Sequence, residues 1–160
     1  MIIRTATPAD VDQISAVESA SFPPAEAATH AQIAERVAAY GDHFWLMDDD
    51  GRIVAIVDGM VTDARDLADE MYADASMHDE SGAWQMIFGV ATDPAFRRRG
   101  LAGQLLERAI ADSRAQGRLG LVLTCKDALV HYYAKFGFVS EGRSESEHGG
   151  VAWNQMRLTF

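Results

Sequence analysis

A β-branched, apolar stretch ending at Thr92 runs through Asp93-Pro94-Ala95-Phe96-Arg97-Arg98-Arg99-Gly100 straight into the helical pattern that opens with Leu101-Ala102-Gly103. In that pattern Leu101, Leu105, Leu106, Ala109 and Ile110 fall on one stripe, which predicts a helix that ends near Gly117, a C′ glycine. A strand feeding a helix N-terminus leaves unpaired backbone N–H groups and the positive end of the helix dipole at the junction, a place that favours a phosphate. Gly100, Ala102 and Gly103 keep side chains clear of it. Arg97, Arg98 and Arg99 add positive charge on a chain whose 24 acidic and 14 basic residues give a formal net charge of -10. The local sign thus opposes the global one, a contrast that a bound anion would resolve. Taken alone, the same residues read equally well as a solvated arginine face and a helix start.

The remainder of the chain supplies the elements around this junction. Ile2 and Ile3 open a short strand, and Thr7-Pro8-Ala9-Asp10 starts a helix that runs to about Ser21, where Phe22-Pro23-Pro24 stops it. Thr29 with Gln32 forms a second capping box before a helix carrying Ile33, Val37 and Ala38. His43 to Met47 and Arg52 to Val61 read as two strands turning at Asp48-Asp49-Asp50-Gly51. The segment from Asp63 to Gly82 is polar and acidic, with a weak helical pattern around Leu67 and Met71, before strand chemistry returns from Trp84 to Thr92. Leu119 to Cys125 predicts a buried strand, Asp127 the cap of a helix through Tyr133 that Gly137 terminates, and Phe138 onward two closing strands turning at Gly149-Gly150. The fold class is therefore α/β or α+β, with three layers, a mostly antiparallel central sheet of about seven strands and about four flanking helices.

At 160 residues the chain fits one domain, residues 1–160, with one substantial core. The negative balance disfavours nucleic acid and anionic membrane as partners and favours cationic ones. No apolar run reaches the roughly 20 residues of a spanning helix. The single cysteine, Cys125, forms no internal disulfide, and no secretory signal opens the chain, which together predict a cytoplasmic protein. His30, His43, His78, His131 and His148 have no spacing that sets two on one helical face beside other ligands, so no metal is expected.

Arg97-Arg98-Arg99-Gly100-Leu101-Ala102, with Pro94 three residues before it, resembles the Q/R-x-x-G-x-G/A motif of the GNAT acyltransferase superfamily. Cys125-Lys126-Asp127-Ala128-Leu129 and the ending Tyr133-Ala134-Lys135-Phe136-Gly137-Phe138 are similar to the segment after the fifth strand in its arylalkylamine N-acetyltransferase branch. The predicted element order resembles the family fold over nearly the whole chain. The resemblance implies that acetyl-coenzyme A is the cosubstrate, its pyrophosphate held by residues 97–103 and its pantetheine arm paired with Val90, Ala91 and Thr92.

By the same resemblance Tyr133 takes the place of the tyrosine that protonates the departing thiolate, and one N–H among Val90, Ala91 and Thr92 meets the oxyanion. A phenol stays protonated at neutral pH and can donate. The two histidines of the vertebrate arylalkylamine enzymes are absent, since Met86 and Phe88 stand at those positions. Phe22-Pro23-Pro24-Ala25-Glu26 looks instead like the first-loop segment of the non-vertebrate branch, which makes Glu26 the general base, with Glu18 and His78 in reserve. Without the resemblance Glu26 reads as an exposed carboxylate near a helix start.

Phe22, Met86 and Phe88 are expected to wall the acceptor, and the acidic run from Asp63 to Glu80 either solvates the surface or draws in a cationic amine. The implied reaction is acetyl transfer to a primary amine, a small arylalkylamine or polyamine. Two alternatives stay open: an acetyltransferase for an aminoglycoside, amino acid or protein N-terminus, and a coenzyme-binding sensor without turnover. A homodimer is also left open.

Overall fold

The structure, a computed structural model, describes residues 1–160. In chain order the elements are β1 (Ile2–Thr5), α1 (Val11–Ser21), α2 (His30–Tyr40), β2 (Phe44–Asp49), β3 (Arg52–Asp58), β4 (Val61–Thr62), α3 (Glu70–Ala73) and β5 (Trp84–Ile87). They continue with β6 (Gly89–Thr92), α4 (Leu101–Ala115), β7 (Gly120–Cys125), α5 (Val130–Ala134), β8 (Val139–Arg143) and β9 (Asn154–Thr159).

The strands form two sheets, β1-β2-β3-β6 and β4-β5-β7-β9-β8. All pairs are antiparallel except β5 with β7. The expected single sheet of about seven strands is thus nine strands in two sheets, with five α-helices rather than about four. The difference arises at two places. Trp84–Thr92 breaks at Phe88 into β5 and β6, and the run after Arg52 breaks at Gly59, where any Cβ would lie 1.8 Å from Met86 O.

Strand β2 shows how one element serves both layers. Successive side chains of a strand point to opposite faces. Phe44 and Leu46 accordingly join the core under α1 and α2, while Trp45 and Met47 join the core under α4 with Leu105, Leu106 and Leu121. The buried Trp45 indole is satisfied by Asp112 Oδ2 on α4 at 2.8 Å. Local signals behave as their chemistry dictates. Thr29 Oγ1 accepts from Gln32 N at 3.1 Å while Gln32 Oε1 accepts from Thr29 N at 2.9 Å, closing the capping box of α2. Asp50 and Gly51 both take positive φ, 51° and 94°, to turn β2 into β3.

Asp127 does not cap α5. Its carboxylate accepts from Asn154 Nδ2 at 2.6 Å and Arg143 at 3.1 Å, tying the end of β7 to the closing hairpin instead. No helix is long and apolar enough to cross a membrane.

Candidate active site

The break at Phe88 makes the site. Strand β5 pairs with β7 as far as Ile87 opposite Leu123, after which β6 follows β3 and β7 follows β9, so the sheets splay apart. Phe88 N–H donates to Asp58 O at 2.7 Å and Gly89 sits opposite the same residue, a bulge that turns the chain from one sheet to the other. Asp93 N–H donates to Val54 O at 2.8 Å. Antiparallel pairing alternates, so Ala91 also faces β3 while the N–H groups of Val90 and Thr92 face the gap between β6 and β7.

Beyond Thr92 the backbone turns through two left-handed residues into α4. Arg98 and Gly100 both adopt left-handed φ, 66° and 71°, and Gly100 is the N-cap of α4. Holding a non-glycine residue such as Arg98 there costs roughly 1–2 kcal/mol. No acceptor within the chain meets any backbone N–H from Arg97 to Gly103, and the first bond of this stretch is Gln104 N to Gly100 O at 3.1 Å. The free donors and the helix dipole therefore point the same way. Arg97 Nε anchors the loop to Thr92 O at 3.2 Å, and the guanidinium groups of Arg52 and Arg99 lie over the Phe96 ring at 4.9 and 5.4 Å. Gly103 serves packing: a Cβ would come within 3.3 Å of Phe136, which follows α5.

A cavity of about 270 Å³ opens at the splay, with Val90 on one side and Leu123, Thr124 and Cys125 on the other. Tyr133 projects into it from α5, its ring held edge-on by Tyr132 at 5.0 Å and Phe138 at 6.2 Å. Burial pushes the phenol well above its ordinary pKa, so it remains a proton donor. Burial also pushes the Cys125 thiol up to about 11, which makes it a packing residue, in contact with Met156 Sδ at 3.5 Å, rather than a nucleophile.

Three carboxylates belong to this region. Glu26 lines the cavity, with Oε1 at 2.9 Å and Oε2 at 3.1 Å from Lys126 Nζ. Its backbone oxygen accepts from His148 Nε2 at 2.9 Å, joining the loop before α2 to the loop between β8 and β9. Glu18, on α1, also lines the cavity but is 4% exposed. Its Oε2 accepts from Ala28 N at 3.2 Å, and its Oε1 has no partner. Behind it Asp58, fully buried, pairs through Oδ2 with Arg36 Nη1 at 3.3 Å and leaves Oδ1 without a partner. Gly89 lets the two meet: a Cβ there would lie 2.7 Å from Asp58 Oδ1 and 3.4 Å from Glu18 Oε1. Burial first, and Asp58 second, push Glu18 up to about 7, while burial pushes Asp58 up to about 6 against the pull of Arg36.

Of the expected wall, Phe22 and Phe88 line the cavity, joined by Tyr72, which stacks on His148 at 4.3 Å. Met86 does not; it is 0% exposed in the core beneath α1 and α2. None of the acidic side chains from Asp63 to Glu80 lines the cavity. Three of them are held by structural partners: Asp66 by Arg157 at 2.6 Å, Asp69 by Glu147 N at 2.9 Å and Glu80 by Arg118 at 2.8 Å. Negative charge at the cavity comes from Glu18 and Glu26. The sequence carried a signal for the first, since Glu18 continues the α1 stripe of Val11 and Ile14, where a charge is out of place. Asp58 likewise closes the apolar run Ile53 to Val57.

His78 lies elsewhere, with His43 and Glu80, and their ligating atoms are within 4.8 Å of one another. Hydrogen bonding argues against a metal there. His78 Nδ1 accepts from Val61 N–H at 3.0 Å, so the neutral ring keeps its proton on Nε2, toward Glu80, where a metal would need a lone pair. His43 bridges Gln85 Oε1 and Glu80, each at 2.9 Å. The group acts as a hydrogen-bonded ion cluster.

Residues 40–140 match the family described as Acetyltransferase (GNAT) domain. The chain is 29% identical over 113 residues to serotonin N-acetyltransferase of Mesocricetus auratus, covering 70% of this chain and 53% of that protein. It is 28% identical over 126 residues to glucosamine 6-phosphate N-acetyltransferase 1 of Oryza sativa subsp. japonica, covering 77% of this chain and 69% of that one. The chain thus spans about half the length of the first relative and about two thirds of the second. In fold it is similar to the GphF GNAT-like decarboxylase in complex with isobutyryl-CoA, with a TM-score of 0.81, 23% identity and 99% of each chain covered.

Proposed function

Because the chain belongs to the GNAT acetyltransferase family, we propose that it transfers an acetyl group from acetyl-coenzyme A directly to the primary amine of a small cationic arylalkylamine or polyamine. The observation that carries this reading is the convergence on one cavity of Val90 on the free β6 edge, the Tyr133 phenol and two carboxylates, with the unpaired amides before α4 following β6 along the chain. One catalytic domain over residues 1–160 accounts for all of them.

The coenzyme supplies an activated acetyl thioester; the chain supplies position, charge and protons. The N–H groups from Arg97 to Gly103 fit a diphosphate, because they are already aimed and unpaired and Gly100 leaves open space above them. Val90 N–H, on the gap side of β6, is placed to stabilise negative charge on a carbonyl oxygen lying along that edge. Tyr133 returns a proton to the sulfur. Phe22, Tyr72 and Phe88 offer an apolar wall for the acceptor, and the Glu26–Lys126 pair orients its nitrogen. The serotonin and glucosamine 6-phosphate relatives differ in acceptor, and the aromatic wall with carboxylates favours the first kind of amine.

Calorimetric titration with coenzyme A, followed by an acetylation panel of arylalkylamines, polyamines, aminoglycosides, amino acids and N-terminal peptides, tests the reading. Micromolar-range coenzyme binding with turnover on arylalkylamines or polyamines is expected. Coenzyme binding with no product from any amine would point instead to a sensor.

A further inference from the structure

We propose that Glu18, not Glu26, takes the proton from the incoming amine, and that the Asp58–Arg36 pair behind it sets when Glu18 is free to do so. This inference rests on the acetyltransfer reading above and deepens it.

Availability decides between the two carboxylates. Both Glu26 oxygens already contact the Lys126 ammonium, at 2.9 and 3.1 Å, so neither is an unpaired acceptor for an incoming nitrogen. Glu18 has one oxygen fixed by Ala28 N–H and the other, Oε1, buried at the cavity without a partner. A buried acceptor left unpaired carries a desolvation cost, which a proton donor entering the cavity removes.

Charge count supports the same assignment. The groups facing Glu18 are Asp58 from β3 and Arg36 from α2, with Tyr40 of α2 close to the pair. Two buried carboxylates thus lie near one guanidinium, which pairs with Asp58 alone and donates its other hydrogen bond to Tyr72 O at 2.8 Å. The other charged or titratable groups lining the cavity are Glu26, Lys126, Tyr72, Cys125, Tyr133 and His148, of which Lys126 is the one ammonium, already engaged by Glu26. The excess negative charge must be met by a proton or by a cationic nitrogen. Glu18 and Asp58 are accordingly poised near neutrality, the range in which a base can both exist and accept.

The proton inventory closes. An ammonium entering the cavity loses one N–H proton to Glu18 Oε1, and the freed lone pair forms the C–N bond as the C–S bond breaks. Tyr133 gives its proton to the departing sulfur and is restored by the second proton that the nitrogen sheds on becoming an amide. Glu18 then returns its proton to solvent.

The test is the pH dependence of kcat/KM with acetyl-coenzyme A and two probe amines, 2-phenylethylamine and spermidine, for the wild type, E18Q, D58N and E26Q, with coenzyme affinity followed in each. The wild type should lose activity on the acid side with a midpoint near 7. E18Q should bind the coenzyme normally, lose about 10²-fold or more in kcat/KM and lose the acid limb. D58N should move the limb to lower pH, since a neighbouring negative charge is gone, and E26Q should raise KM with the limb in place. An unaltered E18Q profile overturns the assignment and leaves acetyltransfer standing. If E18Q does not fold, an unmoved limb in D58N overturns it. A wild type that binds coenzyme but acetylates neither probe, nor any amine of the panel, refutes the acetyltransfer reading and this inference with it.

Discussion

Replacing Glu18 by Gln should make the protein more stable above pH 7 while disabling it. Glu18 moves from 4.5 to about 7 on folding, so the folded state holds a proton that the unfolded chain has already released. A raised carboxyl favours the folded state below pH 4.5 and loses that advantage as the pH climbs through 7; at pH 8 the charged side chain costs ~3 kcal/mol relative to pH 4. Asp58, raised from 3.8 to about 6, acts in the same direction over a lower window. Glutamine keeps an oxygen for Ala28 N–H and brings an N–H donor near the unpartnered Asp58 Oδ1. For a chain of this size ~3 kcal/mol corresponds to a rise in Tm of roughly 6–12 °C. Urea unfolding of both proteins at pH 5 and pH 8 measures it. His78, which burial lowers and which therefore destabilises toward acid, is common to both proteins and cancels in the difference. The variant should gain most at pH 8 and little at pH 5. A variant less stable than the wild type at pH 8 would mean that Glu18 is a structural partner, and the reasoning would fall.

Three further outcomes are expected. Tyr133→Phe should lower turnover about 10²-fold or more with coenzyme affinity unchanged, read by steady-state kinetics beside calorimetry; equal turnover would remove the phenol from the reaction. Gly100→Ala meets no atom within 4 Å but is forced to hold φ 71°, so it should cost roughly 1–2 kcal/mol in unfolding free energy and weaken coenzyme binding; undiminished stability with undiminished binding would count against the loop. Met86→Ala should cost ~2–5 kcal/mol in stability and leave the acceptor KM alone, while Phe88→Ala should raise that KM; the reverse would put Met86 back on the wall.

Local chemistry was enough to read several elements from residues alone. The capping box at Thr29, the positive-φ glycines at 51, 100, 117 and 137, and the stripe of α4 are set by neighbours along the chain, so the sequence carries them whole. The arginine and glycine junction before α4 is of the same kind, because free amides at a helix start need no distant partner. Where distant residues compete, local reading failed. Asp127 looks like a cap until Asn154 and Arg143 reach it, and the acidic run after Asp63 looks available until Arg118, Arg157 and the loop at Glu147 take its carboxylates.

The sequence by itself determined most of the element order and the arginine and glycine junction before α4, since each depends on backbone conformation over a few residues, while Tyr133 stood out only through the resemblance to the GNAT motifs. Only the tertiary structure decided where the cavity opens and that Glu18 lines it beside Glu26. The bulge at Phe88 and Gly89 parts the sheets, and folding buries Glu18 and Asp58 around one guanidinium. Burial is a property of the packed whole: it raises the cost of charge by removing water, and no stretch of chain read alone contains it.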